Sequence, residues 1–285
     1  MLTYLQPEDD GLPMRLSGDW ATEKLDYLRR YIDVFETSMR NKWDERNYID
    51  LFAGPGKNHV RETGLILLGS PLIALNTRYP FTGYFFIDSS EEYTFALDQR
   101  CINSQHYSNI VIRSGDCNVL IDDIFMTLKK SERSSLNLAF LDPEGLELQW
   151  STVAKLASVR RMDLIIHYSQ TGLNRAMPDA FESNEQTMID RFFGGLEWRE
   201  IYKKYKRREE QFIHRQLMDL YKKKLHALGY AEVLRDDETN DEPLIRNAKR
   251  NSPLYRLLFA SKHPLGHEFW QKITGRDVYG QRRLF

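Results

Sequence analysis

The chain has 285 residues, of which 41% are hydrophobic and 28% charged, with a formal net charge of −1. That balance excludes global disorder and any overall electrostatic pull toward nucleic acid, and the length suffices for one large α/β domain or two small ones with a core that needs no staples. The two cysteines, Cys101 and Cys117, lack metal-ligand spacing and read as reduced thiols of a reducing compartment. Glu8, Asp9 and Asp10 stand where a basic-then-apolar signal would begin, and the longest apolar run, 65–75, is broken by Gly69, Ser70 and Pro71. A soluble, cytoplasmic protein without a membrane segment is the expectation.

In chain order, apolar residues at Leu25, Leu28, Ile32, Phe35 and Met39 predict an amphipathic helix over 20–39, with Thr22 near its start. Residues 47–53 read as a buried strand that ends in a glycine turn. Pro71 opens a helix through Leu72, Ala74 and Leu75. A strand over 81–88 follows, then a helix over 91–103 capped by Ser89 or Ser90. Strands over 109–116, 136–143 and 162–169 alternate with helices over 118–130 and 150–158. This alternation implies a parallel sheet covered on both faces.

After Ser169 the pattern changes. Loop and short-helix signals fill 172–197, one or two long basic helices cover 198–228, and Gly229 ends them. Strands near 230–235 and 255–261 precede a helix over 264–274. No domain boundary is visible, so residues 1–285 read as a single domain in which 170–228 is a helical insertion or cap.

The residues that can carry chemistry fall at the C-terminal ends of the strands, where open α/β sheets bind ligands. Asp50 sits in the first strand, and Ala53-Gly54-Pro55-Gly56 follows it; small residues let a backbone approach a ligand closely. Asp88 ends the second strand, with Ser89 after it, and can accept hydrogen bonds from both ribose hydroxyls of a nucleoside cofactor or cap the next helix. Asp116, followed by Cys117 and Asn118, ends the third and can meet an adenine amino group or cap a helix. Asp142 and Pro143 end the fourth, where a cofactor's reactive group and the acceptor would meet. In amino-group methyltransferases an Asp- or Asn-Pro-Pro-aromatic turn aims a side-chain oxygen and a backbone carbonyl at the target amine. Here Glu144 and Gly145 replace its last two residues, so the turn supplies no stacking ring, and Trp150 or Tyr168 is left to provide one. Asp142 and Glu144 can alternatively serve as paired acid/base carboxylates.

Other chemistries fit less well. The glycine turn lacks the Gly-Lys-Ser/Thr ending of a P-loop and the third glycine of a dinucleotide fingerprint. The histidines are scattered; His263 and His267 are four apart but have no matching acidic ligand, so no metal site is expected. The stretch 199–224 is rich in Lys and Arg, and reads either as a solvated helix face or as a phosphate-contacting one.

These residues resemble the three-Cys-motif partner proteins, TcmP, which are similar to class I methyltransferases. The resemblance runs along nearly the whole chain. It is carried by Trp20, Lys24 and Tyr31; by 48–56 with Gly64 and 69–72; by 86–88, 115–118 and 139–145 with Trp150; and by 255–264 with Phe269 and Trp270. It implies a Rossmann-like α/β fold whose seven-stranded, mostly parallel sheet has its last strand antiparallel. It also implies S-adenosylmethionine (SAM) as cofactor and a separate partner carrying three cysteines. Gly54, Gly56, Asp88 and Asp116 would hold SAM, while Asp142 and the Pro143 carbonyl would orient the acceptor. Lys24, on the helix ahead of the first strand, can reach such a site or lie on the surface. The leading expectation is a SAM-dependent methyltransferase acting on nucleic acid through 199–224. The alternatives are a non-catalytic SAM-fold module that supports its partner, and a methyltransferase for a small molecule or a protein.

Overall fold

The computed structural model describes residues 7–231, 242–247 and 249–276. Six parallel strands form the body of the main sheet: β2 (Glu45–Asp50), β5 (Gly83–Asp88), β6 (Ile110–Ser114), β7 (Ser135–Leu141), β8 (Met162–Ser169) and β9 (Leu244–Arg246). The seventh, β10 (Pro253–Ala260), lies between β8 and β9 and runs antiparallel to both. The order is β6-β5-β2-β7-β8-β10-β9, a seven-stranded, mostly parallel sheet whose antiparallel strand is the last in the chain, as the resemblance implied. Pairing runs outward from β2 to β5 on one side and to β7 on the other, so the chain changes direction across the sheet there. A crevice opens above such a switch point, at the carboxyl ends of the strands.

Successive residues of these strands serve opposite faces. Tyr48, Phe86, Leu138, Phe140 and Ile165 pack into one buried cluster, with α1 (Trp20–Met39), α2 (Ser70–Leu75), α3 (Glu91–Cys101) and α10 (Pro264–Thr274). Ile49, Phe85, Ile87, Ala139, Leu141, Leu164 and Ile166 face the other cluster, with α4 (Cys117–Lys130) and α5 (Trp150–Ala157). At the base of the sheet, buried Asn47 Nδ2 donates to buried Asn137 Oδ1 at 2.9 Å between neighbouring strands. An amide pair in such a place is satisfied in one register only.

Four helices follow β8: α6 (Gln170–Glu182), α7 (Met188–Phe193), α8 (Glu197–Lys206) and α9 (Ile213–Ala227). Leu173, Phe192, Trp198 and Tyr221 join the second cluster, so this segment shares the core of the sheet it covers. Buried Asp190 organises it. The carboxylate completes a capping box with Thr187 and accepts from Trp198 Nε1 at 2.8 Å and Arg199 Nη2 at 2.9 Å.

Three features differ from the sequence reading. The loop and short-helix signals of 172–197 understate the thirteen-residue α6, which continues through Pro178. The sixth strand position is filled by β9; Tyr230 and Ala231 are not in a strand, and 232–235 lie outside the described residues. A small second sheet, β1 (Arg15–Ser17), β3 (Lys57–Val60) and β4 (Ile66–Leu68), has no counterpart in the expectations, because strands of three or four residues show no measurable period. It packs the segment before α1 against the glycine turn after β2.

That turn depends on Gly56. Its φ of +86° lies in the left-handed region, and a Cβ there would sit 2.9 Å from Leu97 Cδ1 and 3.1 Å from Leu72 Cγ. The Gly56→Ala variant should lose about 1–3 kcal/mol of folding stability. Urea denaturation monitored by circular dichroism checks this; an unchanged midpoint and slope would show that the turn relaxes without cost.

Candidate functional site

Two hollows open side by side above the switch point. The upper one, about 280 Å³, is lined by Ala53, Gly54, Pro55 and Gly56, by Lys24, Asp142, Pro143 and His167, and by the rings of Trp20, Phe52 and Tyr255. The lower one, about 710 Å³, is lined by Asp88, Ser89, Gly115, Asp116, Cys117 and Asn118. Arg15, Phe52 and Glu144 border both.

Short hydrogen bonds set the glycine turn against the next strand. The Ala53 amide donates to the Ile87 carbonyl at 2.8 Å and the Gly54 amide to Asp88 Oδ2 at 2.8 Å. Asp88 Oδ1 accepts from the Ser90 amide at 3.0 Å, and Arg15 Nη2 donates to Oδ2 at 3.2 Å. Ser90, not Ser89, caps α3, which leaves Ser89 on the wall of the lower hollow. Asp116 caps α4 through Oδ1, which accepts from the Asn118 amide and Nδ2, both at 2.8 Å, and it faces the same hollow. Asn118 is committed to structure. Its Nδ2 also donates to the Glu147 carbonyl, and its Oδ1 accepts from the Gln149 amide and Thr152 Oγ1. Cys117 borders this hollow; burial pushes its thiol, like that of Cys101, up to about 12, so neither is a ready thiolate.

Asp50 borders neither hollow. It is fully buried beneath the turn, where Oδ1 accepts from the Phe52 amide at 3.2 Å. Burial raises its carboxyl to about 7, against opposing hydrogen bonds from Ser70 and Phe52. Trp150 and Tyr168 do not border the upper hollow either. Trp150 meets Tyr221 edge to face and Tyr168 packs near Phe192, both in the core under the helical segment.

At the end of β7, Asp142 is only 8% exposed and has both oxygens engaged. Lys24, reaching across from α1, donates to Oδ2, and His167 of β8 lies with Nδ1 2.8 Å from Oδ1. Burial works to raise the Asp142 carboxyl, but the Lys24 ammonium and the His167 hydrogen bond outweigh it and hold the group well below the usual carboxylate range. For His167 burial prevails: it lowers the imidazole below its ordinary value despite the neighbouring carboxylate, and Lys24 adds to the lowering. An ionised carboxylate only accepts, so a neutral His167 carries its proton on Nδ1 and presents Nε2 as a free acceptor. Nε2 is buried and bonds to no described residue. The Tyr255 ring, 4.1 Å from the imidazole centroid and 5.5 Å from Lys24 Nζ, closes the far side.

Asp142 and Lys24 stand out in the sequence, whereas His167 reads there as one of the scattered histidines. The available signal was an ionisable residue in the apolar run 162–169, close to its ligand-facing end. His263 and His267 do not form a pair of ligands: His263 caps α10, and His267 Nε2 lies 3.2 Å from the Ser261 carbonyl. Among the described residues no group of three or more potential metal ligands occurs, and no helix is long and apolar enough to cross a membrane. The basic stretch is partly neutralised, since Arg199 binds Asp190, Lys206 binds Glu182, Lys222 binds Glu242 and Lys224 binds Glu197. Lys204, Arg207, Arg208 and Lys223 are exposed.

No family model and no curated protein matches the chain. Similar solved structures include a protein of Methanococcus maripaludis described as a SAM-dependent methyltransferase, 12% identical over 84% of this chain and 89% of that one, with a TM-score of 0.32. A Galdieria sulphuraria protein described as a sarcosine dimethylglycine methyltransferase is 10% identical over 84% and 85%, with a TM-score of 0.33. A Legionella pneumophila protein is 10% identical over 59% and 73%, with a TM-score of 0.39.

Asp50 gives a pH test of the turn. Its carboxyl is raised from an ordinary 3.8 to about 7 in the folded chain, so the folded state binds the extra proton across that interval and stability falls as pH rises through it. Asp50→Asn removes that dependence. The stability of the variant relative to wild type should therefore climb from about pH 4 to about pH 7 and level off above. Urea denaturation across this range measures the difference, and a flat difference would contradict the assignment.

Proposed function

We propose that this chain is a SAM-dependent methyltransferase in which His167 removes the proton of the acceptor. The observation that carries the reading is the neutral His167 whose unpartnered Nε2 is buried beside a hollow that also holds the glycine turn. The groove suits the cofactor. A Cβ on Gly54 would lie 3.4 Å from the Arg15 guanidinium, so the missing side chain lets Arg15 come close to the turn. Asp88 is an acceptor for ribose hydroxyls and Asp116 for the adenine amino group. Ala53, Gly54, Pro55 and Gly56 would lie against the amino-acid part, and Ser89 and Cys117 would wall the nucleoside. Asn118 would act indirectly, by fixing the loop before α5.

SAM, when bound, supplies the methyl group. The chain must align the acceptor, exclude water and receive a proton. Both Asp142 oxygens are occupied, so its role here is to stabilise the imidazolium that forms when His167 Nε2 takes the proton, while Lys24 keeps Asp142 ionised. The Pro143 carbonyl, on the wall of the same hollow, would orient the acceptor. The proton acceptor then lies on β8, beside the Asp-Pro turn whose Asp142 and Pro143 the sequence suggests as orienting groups. A non-catalytic module is the second reading, favoured by the engagement of both Asp142 oxygens.

The finer part of the proposal is a nucleic-acid acceptor and membership of the three-Cys-motif partner family, with a three-cysteine partner protein. Its support is the sequence resemblance together with exposed Lys204, Arg207, Arg208 and Lys223. A base within a duplex would have to be flipped out to reach so enclosed a hollow.

Calorimetric titration with SAM tests the cofactor assignment. Wild type should bind, Asp88→Ala should bind about tenfold or more weakly, and His167→Gln should bind like wild type. No binding by wild type, or equal binding by Asp88→Ala, would contradict it. For the acceptor, titration with mixed-sequence oligonucleotides at several salt concentrations should show affinity falling with salt, with a shallower slope after Lys204→Glu and Arg207→Glu. Absence of binding, or an unchanged slope, would remove nucleic acid from the proposal.

A further inference from the structure

Arg15 is the cation that borders both hollows. Its guanidinium donates to Asp88 Oδ2 at 3.2 Å, stands 3.6 Å from Glu144 Oε1 and lies 3.4 Å from where a Cβ of Gly54 would be. Its Nε is buried without a hydrogen-bond partner, and the Glu144 side chain is 73% exposed, so Asp88 is its better-buried counter-charge. The backbone beneath it is fixed. Arg15 is paired with Asn58 across the small sheet, and just upstream Asp10 is clasped by Arg100 at 2.7 Å and Lys57 at 2.9 Å, while Arg100 also holds the Pro13 carbonyl. The side chain can therefore change partners while its anchor stays in place.

A ligand that engages Asp88 through ribose hydroxyls competes for the oxygen that now balances Arg15. A largely buried guanidinium then needs another anion close by. Lys24, the other cation in the upper hollow, is already neutralised by Asp142. Resting on the SAM reading above, we propose that Arg15 binds the α-carboxylate of an S-adenosyl amino acid, exchanging Asp88 for that carboxylate as the ribose takes Asp88. Arg15 is thus a specificity-determining residue: it makes the groove select a nucleoside that carries an amino-acid tail over one that does not. Planar, bidentate pairing with a carboxylate is the geometry a guanidinium serves best.

The test is titration of wild type, Arg15→Met and Glu144→Gln with S-adenosylhomocysteine and with 5′-methylthioadenosine, which keeps the nucleoside and thioether but lacks the tail. Arg15→Met should weaken S-adenosylhomocysteine about tenfold or more and leave methylthioadenosine within about twofold of wild type. Glu144→Gln removes a competing anion and should tighten S-adenosylhomocysteine alone, which keeps the idea testable if Arg15→Met folds poorly. Equal weakening of both ligands, or no change in either, would overturn the Arg15 assignment and leave the cofactor reading standing. Failure of wild type to bind either ligand would overturn both.

Discussion

A buried carboxylate needs positive charge beside it, and most of this site follows from how the fold meets that need at Asp142. Lys24 comes from the helix ahead of the sheet and His167 from the neighbouring strand, so α1, β7 and β8 are tied together at the point where the upper hollow opens. Removing one partner from such a cluster typically costs about 3–5 kcal/mol, because the remaining charge stays buried and unpaired. The same pairing has a chemical consequence. Both Asp142 oxygens are occupied by Lys24 and His167, and the unpartnered nitrogen of the cluster is His167 Nε2.

The sheet supplies the rest of the geometry. Direction changes at β2, so the glycine turn after β2 and the Asp-Pro turn after β7 flank one crevice, and Asp88 and Asp116 extend it along the ends of β5 and β6. Opposite faces of the strands feed separate cores, one under α1 and α10 and the other under α4 to α9. The helical segment after β8 closes the second face without bordering the upper hollow beyond its first turn, where Thr171 reaches it. The small sheet brings Arg15 over the crevice from the opposite side.

The main strands were legible because each is a short apolar run bounded by Gly, Pro, Asp or Ser, and the long helices because their apolar residues recur at helical spacing. Asp88 and Asp116 could be placed at strand ends for the same reason. The small sheet could not be read: β1 holds three residues and depends on pairing with a strand about forty positions further on. Nor could β9 be read, whose pairing with β10 spans an intervening turn. His167 was hidden because a pattern of buried positions does not say which buried side chain bonds to which. Its partner Asp142 is 25 positions away, and Lys24 lies 118 positions from Asp142. Asp50 and Asn118 were visible as polar residues near strand ends, yet only coordinates show that one is buried beneath the turn and the other braces a loop.

A neutral His167 that carries its proton on Nδ1 leaves Nε2 as a buried, unpartnered lone pair beside the hollow. Nitrogen NMR of histidine-labelled protein, with His167→Gln to assign the signal, reads tautomer and titration together. The account predicts the Nδ1–H tautomer and a midpoint below that of a free imidazole. An Nε2–H tautomer, or a midpoint at or above the free value, would contradict a neutral imidazole with its lone pair on Nε2.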